Sequence, residues 1–283
     1  MQIITYDPET PIPAPSLVAG IPNALYHAYP SISKSGLDLI ARSPAHYQFQ
    51  PPREATRAME IGTAIHTALL EPDRFQREYV LLKDVKDRRA SEYKAAVQVH
   101  GTERVLVASE ADNVAGMQES VYANRTARAL LEQTGHRELS VFATDPVTGL
   151  TVRCRFDILT DDLIAIDLKK TRDAREDAFS RAIDSYRYHV QAAFYSDVFY
   201  WATGEHLSGF KFLAVEEAMP HASRVYRLDE TAMQEGRRLY REDLNLFAQC
   251  VESGEWPAYD EDEGIISLPE WKLRQIENEM EIA

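Results

Sequence analysis

From Glu138 to Thr144, and again from Val152 to Lys169, apolar and polar positions alternate with a period of two, the signature of strands covered on one side. Val152, Cys154, Phe156 and Ile158 share one face of the first strand of a hairpin, with Arg153, Arg155 and Asp157 on the other. A polar turn, Thr160-Asp161-Asp162, leads to a second strand in which Ile164, Ile166 and Leu168 face one way and Ala165, Asp167 and Lys169 the other. Each strand thus carries an apolar face and a face with charge near its end. Two more strands are predicted at 208–216 and 224–228, with His221 in the turn between them.

Elsewhere the period lengthens to that of a helix. Ser31 or Ser33 suits the N-cap of a short helix through Leu37, Leu39 and Ile40, stopped by Ser43-Pro44. A second runs from about Arg57 to Leu70, with Met59, Ile61, Ile65, Leu69 and Leu70 along its apolar side and Glu71-Pro72 at its end. Gly62 and His66 lie four apart on one face of it. Helices are also expected over 91–99, 109–122, 124–133, 174–184 and 188–203, from an Asp229 cap to about Ser253, and briefly from Pro269. Helices, three strands, helices, two strands and helices predict one mixed α/β domain.

Composition adjusts this picture at the ends. Residues 1–30 carry Pro8, Pro11, Pro13, Pro15, Pro22 and Pro30, which predicts an extended arm wrapping the surface or a partner subunit. Residues 31–255 read as the folded domain, and 256–283 as an acidic tail with a short helix. The chain's net charge is −14, and ten acidic against two basic residues lie between Glu252 and Ala283. Nucleic-acid binding through overall charge is therefore excluded, while a local basic groove is not. The most basic run, Lys83, Lys86, Arg88, Arg89 and Lys94, reads as a solvated loop or as an arm contacting phosphates. Two cysteines, Cys154 and Cys250, exclude a four-cysteine metal site. No basic-then-apolar leader and no uninterrupted run of 18 apolar residues is present, so no membrane association and a cytoplasmic setting are expected.

Asp167 interrupts an otherwise apolar strand, and a carboxylate there is costly unless it is paired or binds a cation. Two strand carboxylates supply the oxygen ligands that a hard divalent cation prefers. Such a cation stabilises charge on a phosphodiester and lowers the pKa of bound water. Lys169, on the same face, is placed to orient or deprotonate that water, or to steady charge on phosphorus. Taken singly, each of these residues fits a salt-bridged sheet as well, with Arg153 and Arg155 pairing across it.

In combination they resemble a known family. Gly62-x-x-x-His66, Asp157, Asp167-x-Lys169 and Gln191-x-x-x-Tyr195 follow the order of the PD-(D/E)XK nucleases of the RecB-like branch, and resemble more closely still the RecE-type (exonuclease VIII) nuclease domain. The stretches Tyr26 to Leu37, Ser43 to Tyr47 and Met59 to Pro72 support the resemblance, which runs from about residue 22 to 275. It implies a restriction-endonuclease-like core, a central mixed sheet flanked by helices. His66, Asp157 and Asp167 would be metal ligands, joined by the carbonyl of Leu168, and Lys169 would be the catalytic lysine. Gln191 and Tyr195 would contact substrate, and Glu138 would reach the metal through water. Phe156 departs from the pattern, standing where many relatives have proline. The implied activity is Mg²⁺-dependent hydrolysis of double-stranded DNA from its ends, 5′ to 3′, with Mn²⁺ as a substitute, in phage or prophage recombination. A homo-oligomeric ring and a single-strand annealing protein are the implied partners. An endonuclease using the same site and a non-catalytic DNA-end-binding factor are the alternatives. No Gly-x-x-x-x-Gly-Lys-Ser/Thr phosphate loop is present, so an ATP-driven motor is excluded.

Overall fold

The structure is a computed structural model describing residues 2–51, 55–259 and 263–282. Its strands are β1 (Ile3–Thr5), β2 (Ser16–Ala19), β3 (Val80–Leu82), β4 (Val105–Val107), β5 (Gly135–Thr144), β6 (Thr151–Thr160), β7 (Ile164–Thr171), β8 (Gly209–Glu216) and β9 (Ser223–Arg227). The first eight helices are α1 (Asn23–Ala28), α2 (Lys34–Arg42), α3 (Pro44–Gln48), α4 (Arg57–Leu70), α5 (Pro72–Glu78), α6 (Ser91–His100), α7 (Ala108–Ala123) and α8 (Arg125–Leu131). They are followed by α9 (Glu176–Ser185), α10 (Tyr188–Thr203), α11 (Glu230–Ser253) and α12 (Glu270–Ile282).

Seven strands form one mixed sheet in the order β1-β2-β5-β6-β7-β8-β9. Its centre, β5 to β7, is antiparallel, and β7 then pairs in parallel with β8 across the α9–α10 crossover. Helices cover both faces, as an α/β core requires. On one face α10 and α11 bring Val190, Phe194, Phe199 and Leu244 against Phe156, Leu159 and Phe212. On the other, α4 and α7 bring Ile65, Leu69, Val114 and Met117 against Ile158, Ile166 and Leu168. The fold is the expected one, a central mixed sheet between helical layers.

Local chemistry explains most of the boundaries. Asp229 caps α11, its Oδ1 accepting from the Ala232 N–H at 2.8 Å, and Gly254 ends that helix in the left-handed region at φ 75°. Pro44 and Pro72, expected only to stop helices, also start α3 and α5, because proline at the first helical position gives up no needed N–H. Within the proline-rich segment, β1 and β2 add two strands beyond β5, with Leu17 opposite Val141. Residues 80–107 hold a further unforeseen unit, in which β3 and β4 pair in parallel around a small core of Tyr93, Val105 and Val107.

The hairpin itself needs one correction. Strict alternation put Phe156 and Ile158 on one face, but they pack into opposite cores. The reversal falls at Asp157, facing Glu138 on β5, whose backbone sits in the left-handed region at φ 51°. Adjacent to this twist, β6 and β7 pair only at Ile158–Ile166 and Leu159–Ala165 before they separate. A non-glycine residue at positive φ is strained, and surrounding structure must hold it there.

Candidate metal centre

The gap that opens between β6 and β7 is lined by charge. Instead of a backbone carbonyl, the Asp157 side chain meets the next ladder donor, its Oδ2 accepting from the Leu168 N–H at 2.7 Å. His66, one turn from the end of α4, brings Nδ1 to 3.5 Å from the same oxygen. Ligand atoms of His66, Glu138 and Asp157 all lie within 4.8 Å of one another. The strained Glu138 is thus what carries a third group to the pair.

Asp167 and Lys169 form the other half of the site, on the α10 side. Lys169 Nζ is 2.6 Å from Asp167 Oδ2, and both side chains are nearly enclosed. Gln191, from the first turn of α10, ties them together. Its Nε2 donates to Asp167 Oδ1 at 2.5 Å, and its Oε1 accepts from Lys169 Nζ at 2.9 Å. The Tyr188 ring lies beneath the lysine ammonium at 4.4 Å, a cation–π contact. The Lys169–Asp167 contact lacks hydrogen-bond geometry, so the buried Asp167 Oδ2 has an ion-pair partner but no hydrogen-bond donor.

Burial and crowding set the charge states. Glu138 is pushed up to about 7, first by burial and then by the negative charge of Asp157. Burial also raises Asp157, with His66 opposing and Asp167 adding to the effect. For Lys169, burial disfavours the ammonium, but Asp167, Tyr188 and Asp157 outweigh it and hold the group above its ordinary range. Three carboxylates and one imidazole thus lie near one another, with Lys169 on Asp167 and Arg155, 4.0 Å from Glu138, as the cations beside them. A hard cation fits His66, Glu138 and Asp157, whose ligand atoms are within mutual reach, while Asp167 stands beside that group with its Oδ2 against the Lys169 ammonium.

His66, Asp157, Asp167, Lys169 and Gln191 sit at or beside this gap, while Tyr195 packs among aromatic side chains. Tyr195 lies edge-on to Phe156 at 5.6 Å, and Phe199 closes the other side of that ring at 6.1 Å, so the phenylalanine in place of proline is a packing anchor. Gln191 is buried, and both ends of its amide are engaged inside the site. Arg153 and Arg155, which fit sheet pairing or the DNA backbone by sequence, both bind the N-terminal segment, and Arg155 also pairs across the sheet with Glu138 at 4.0 Å. Arg153 donates to the carbonyls of His27, Tyr29 and Ser31. Arg155 donates to Ile21 O and Ser140 Oγ while its guanidinium lies 4.0 Å from the Tyr26 ring centre. Two contributors were not foreseen. Tyr188 was visible only as the first residue of a helix, and the twist at Glu138 leaves no trace in a period-two pattern.

With this geometry in hand, similarity to solved structures gives the fold a context. A Eubacterium rectale protein described as a candidate exonuclease superposes with a TM-score of 0.58 at 13% identity, covering 87% of this chain and 93% of that one. A phage-related exonuclease from Haemophilus somnus 129PT gives a TM-score of 0.34 at 10% identity, covering 82% of this chain and 100% of that one. The first of these supports the shared architecture. No curated protein matches the sequence. Residues 31–266 match a family described as a PDDEXK-like domain of unknown function (DUF3799), and the chain belongs to that family.

Proposed function

We propose that this protein is a metal-dependent exodeoxyribonuclease of the RecE type, hydrolysing double-stranded DNA from its ends with Mg²⁺, or Mn²⁺ in its place. The observation that carries the reading is the meeting of His66, Glu138 and Asp157 with the Asp167–Lys169–Gln191 cluster in the gap between β6 and β7. His66, Glu138, Asp157 and Asp167 would hold the cation. When bound, it supplies Lewis acidity to a phosphodiester oxygen and acidifies a water.

The chain's own residues account for the remaining requirements. Lys169 is held as an ammonium, since its neighbours raise its proton affinity above the ordinary value. In that state it donates hydrogen bonds, orienting a nucleophilic water or steadying charge on the phosphoryl oxygens. Gln191 fixes the lysine and Asp167 relative to each other, and the α10 face bearing Gln191 and Tyr195 would border the substrate. Attack from the 5′ end, assembly as a ring and cooperation with a single-strand annealing protein complete the proposal on the strength of the RecE resemblance.

Digestion of linear duplex DNA labelled separately at each end, beside a closed circular duplex, tests it. The expected result is Mg²⁺-dependent release of mononucleotides from the 5′ ends, with the circle intact and EDTA abolishing release. Cutting of the circle would replace the exonuclease with an endonuclease. Binding of ends without hydrolysis under any divalent cation would replace it with a non-catalytic end-binding factor.

A further inference from the structure

The unit formed by residues 80–107 is not used by the site just described. It is a folded insert, with Tyr93, Val105 and Val107 buried and Val80, Leu82, Val85, Ala96 and Val97 packed around them. Its connection to the metal centre is rigid. Arg57, at the start of α4, donates to the carbonyls of Thr102 (2.7 Å) and Val105 (2.8 Å) and to Glu110 Oε1 (2.8 Å). The loop after β3 is fixed to the same place, because the Ala108 N–H, two residues before Glu110, donates to Val85 O at 2.9 Å. The insert is therefore clamped to the N-terminal end of the helix whose other end carries His66.

That loop carries the basic run. Lys83, Lys86 and Arg88, with Lys94 on α6, are exposed; among the described residues none makes a side-chain hydrogen bond or a close ion pair, and Arg88 acts at longer range on Asp87 and Glu110. Arg89 is neutralised by Asp87, which it meets at 2.5 Å. Exposed cations without a close carboxylate, clustered on a rigid support, stand out in a chain of net charge −14, where most arginines meet carboxylates. Arg57 and His66 are nine residues apart, roughly 13 Å along the helix axis at 1.5 Å per residue. The backbone of duplex DNA advances about 3.4 Å per phosphate on each strand, so this span corresponds to roughly four phosphates.

We infer that the insert is a second DNA-contact surface, in which Lys83, Lys86 and Arg88 bind backbone phosphates of duplex DNA a few nucleotides from the scissile bond. The inference rests on the nuclease reading above and adds where the duplex lies, along α4 from His66 toward the insert. Contacts of this kind carry no sequence information and set register and grip. They also supply locally the positive charge that the chain as a whole lacks.

The test is duplex binding in EDTA over a salt series, comparing wild type, the triple variant Lys83→Gln, Lys86→Gln, Arg88→Gln, and a charge-matched control, Arg128→Gln, Arg238→Gln, Arg274→Gln. Each neutralised phosphate contributes about 0.9 to the slope of log K against log salt. The insert variant should therefore lose about 2 to 3 from that slope, and bind on the order of 10²-fold more weakly at 0.1 M salt. The control carries the same net charge and should keep the wild-type slope. Equal slopes in wild type and insert variant, or equal losses in both variants, would overturn the inference while leaving the nuclease reading in place. A wild type that cuts no DNA with any divalent cation would instead remove the nuclease reading, and the slopes would still report whether the insert grips DNA.

Discussion

Gln191→Leu separates holding the site together from filling space. Gln191 is only 7% exposed, and leucine preserves most of its volume, so packing between α10 and the sheet is retained. What disappears is one bond to Asp167 Oδ1 at 2.5 Å and one to Lys169 Nζ at 2.9 Å. Hydrogen bonds to charged groups contribute about 1.5–3 kcal/mol each. Lys169 keeps Asp167 at 2.6 Å and the Tyr188 ring at 4.4 Å, so its charge is not stranded, but its direction is no longer fixed. Loss of one such bond's worth of transition-state positioning, about 2.7 kcal/mol, corresponds to roughly a 10²-fold fall in rate. Duplex hydrolysis at saturating Mg²⁺, with kcat and KM measured separately and a melting curve beside them, reads this directly. The expected outcome is a kcat lower by about 10² with KM within about threefold. Gln191→Glu keeps the acceptor for Lys169 but places a carboxylate against Asp167, and should be worse in metal affinity than in folding. A leucine variant with kcat within about threefold of wild type would refute the reasoning.

Further predictions concern the frame that holds the site. Asp145 is fully buried and pairs with Arg241 at 2.8 and 2.9 Å, tying the β5–β6 turn to α11, so Arg241→Ala should cost about 3–5 kcal/mol in urea unfolding. The pH dependence has a definite sign. Hydrogen bonds from Arg241 and Thr148 outweigh burial and hold the Asp145 carboxyl below its ordinary value. The pair's contribution is therefore present above the unfolded carboxyl pKa of about 3.9 and is lost as pH falls through the lower folded value. The gap between wild type and Arg241→Ala should shrink in that acid window, and a gap independent of pH would contradict the assignment. Gly236→Ala should destabilise the protein by about 1–3 kcal/mol, because a Cβ there would run into the His189 carbonyl and push α11 off α10, two residues from Gln191. Arg153→Met should loosen residues 27–31 against β6 and show as faster amide exchange there, with the remaining sheet unchanged; exchange in 27–31 equal to that of wild type would refute the staple.

Much of this was legible in the residues, and the omissions have physical causes. Long periodic segments such as Arg57–Leu70 and Tyr188–Thr203 announced themselves, since a buried stripe and clear stop residues leave few alternatives. Strands β1 to β4, each three or four residues long, did not, because such short runs carry no usable period and are held by tertiary contact. The proline-rich arm was legible as extended but not as an addition to the sheet. The acids and the lysine stood out as charges in apolar strands. Their grouping followed from the shared strand face, but the reversal between Phe156 and Ile158 did not, since strict alternation keeps those two on one face. The positive-φ backbone at Glu138, opposite the reversal at Asp157, goes with the separation of these residues and with Glu138 lying in reach of His66. Arg153 and Arg155 fitted sheet pairing or the DNA backbone; Arg155 pairs across to β5, and both hold the chain's own N-terminal segment.

The central claim is that His66, Glu138, Asp157 and Asp167 hold a divalent cation that duplex hydrolysis requires. Its most direct test is one Mg²⁺ titration of wild type and Asp157→Ala, read both by melting temperature and by hydrolysis of linear duplex DNA. A cation bound only by the folded site stabilises by about 1.4 kcal/mol at ten times its Kd. Wild type should gain melting temperature and activity over the same concentration range, while Asp157→Ala stays folded and gains neither. Hydrolysis in Asp157→Ala at the wild-type rate, or wild-type hydrolysis undiminished in EDTA, would contradict the account.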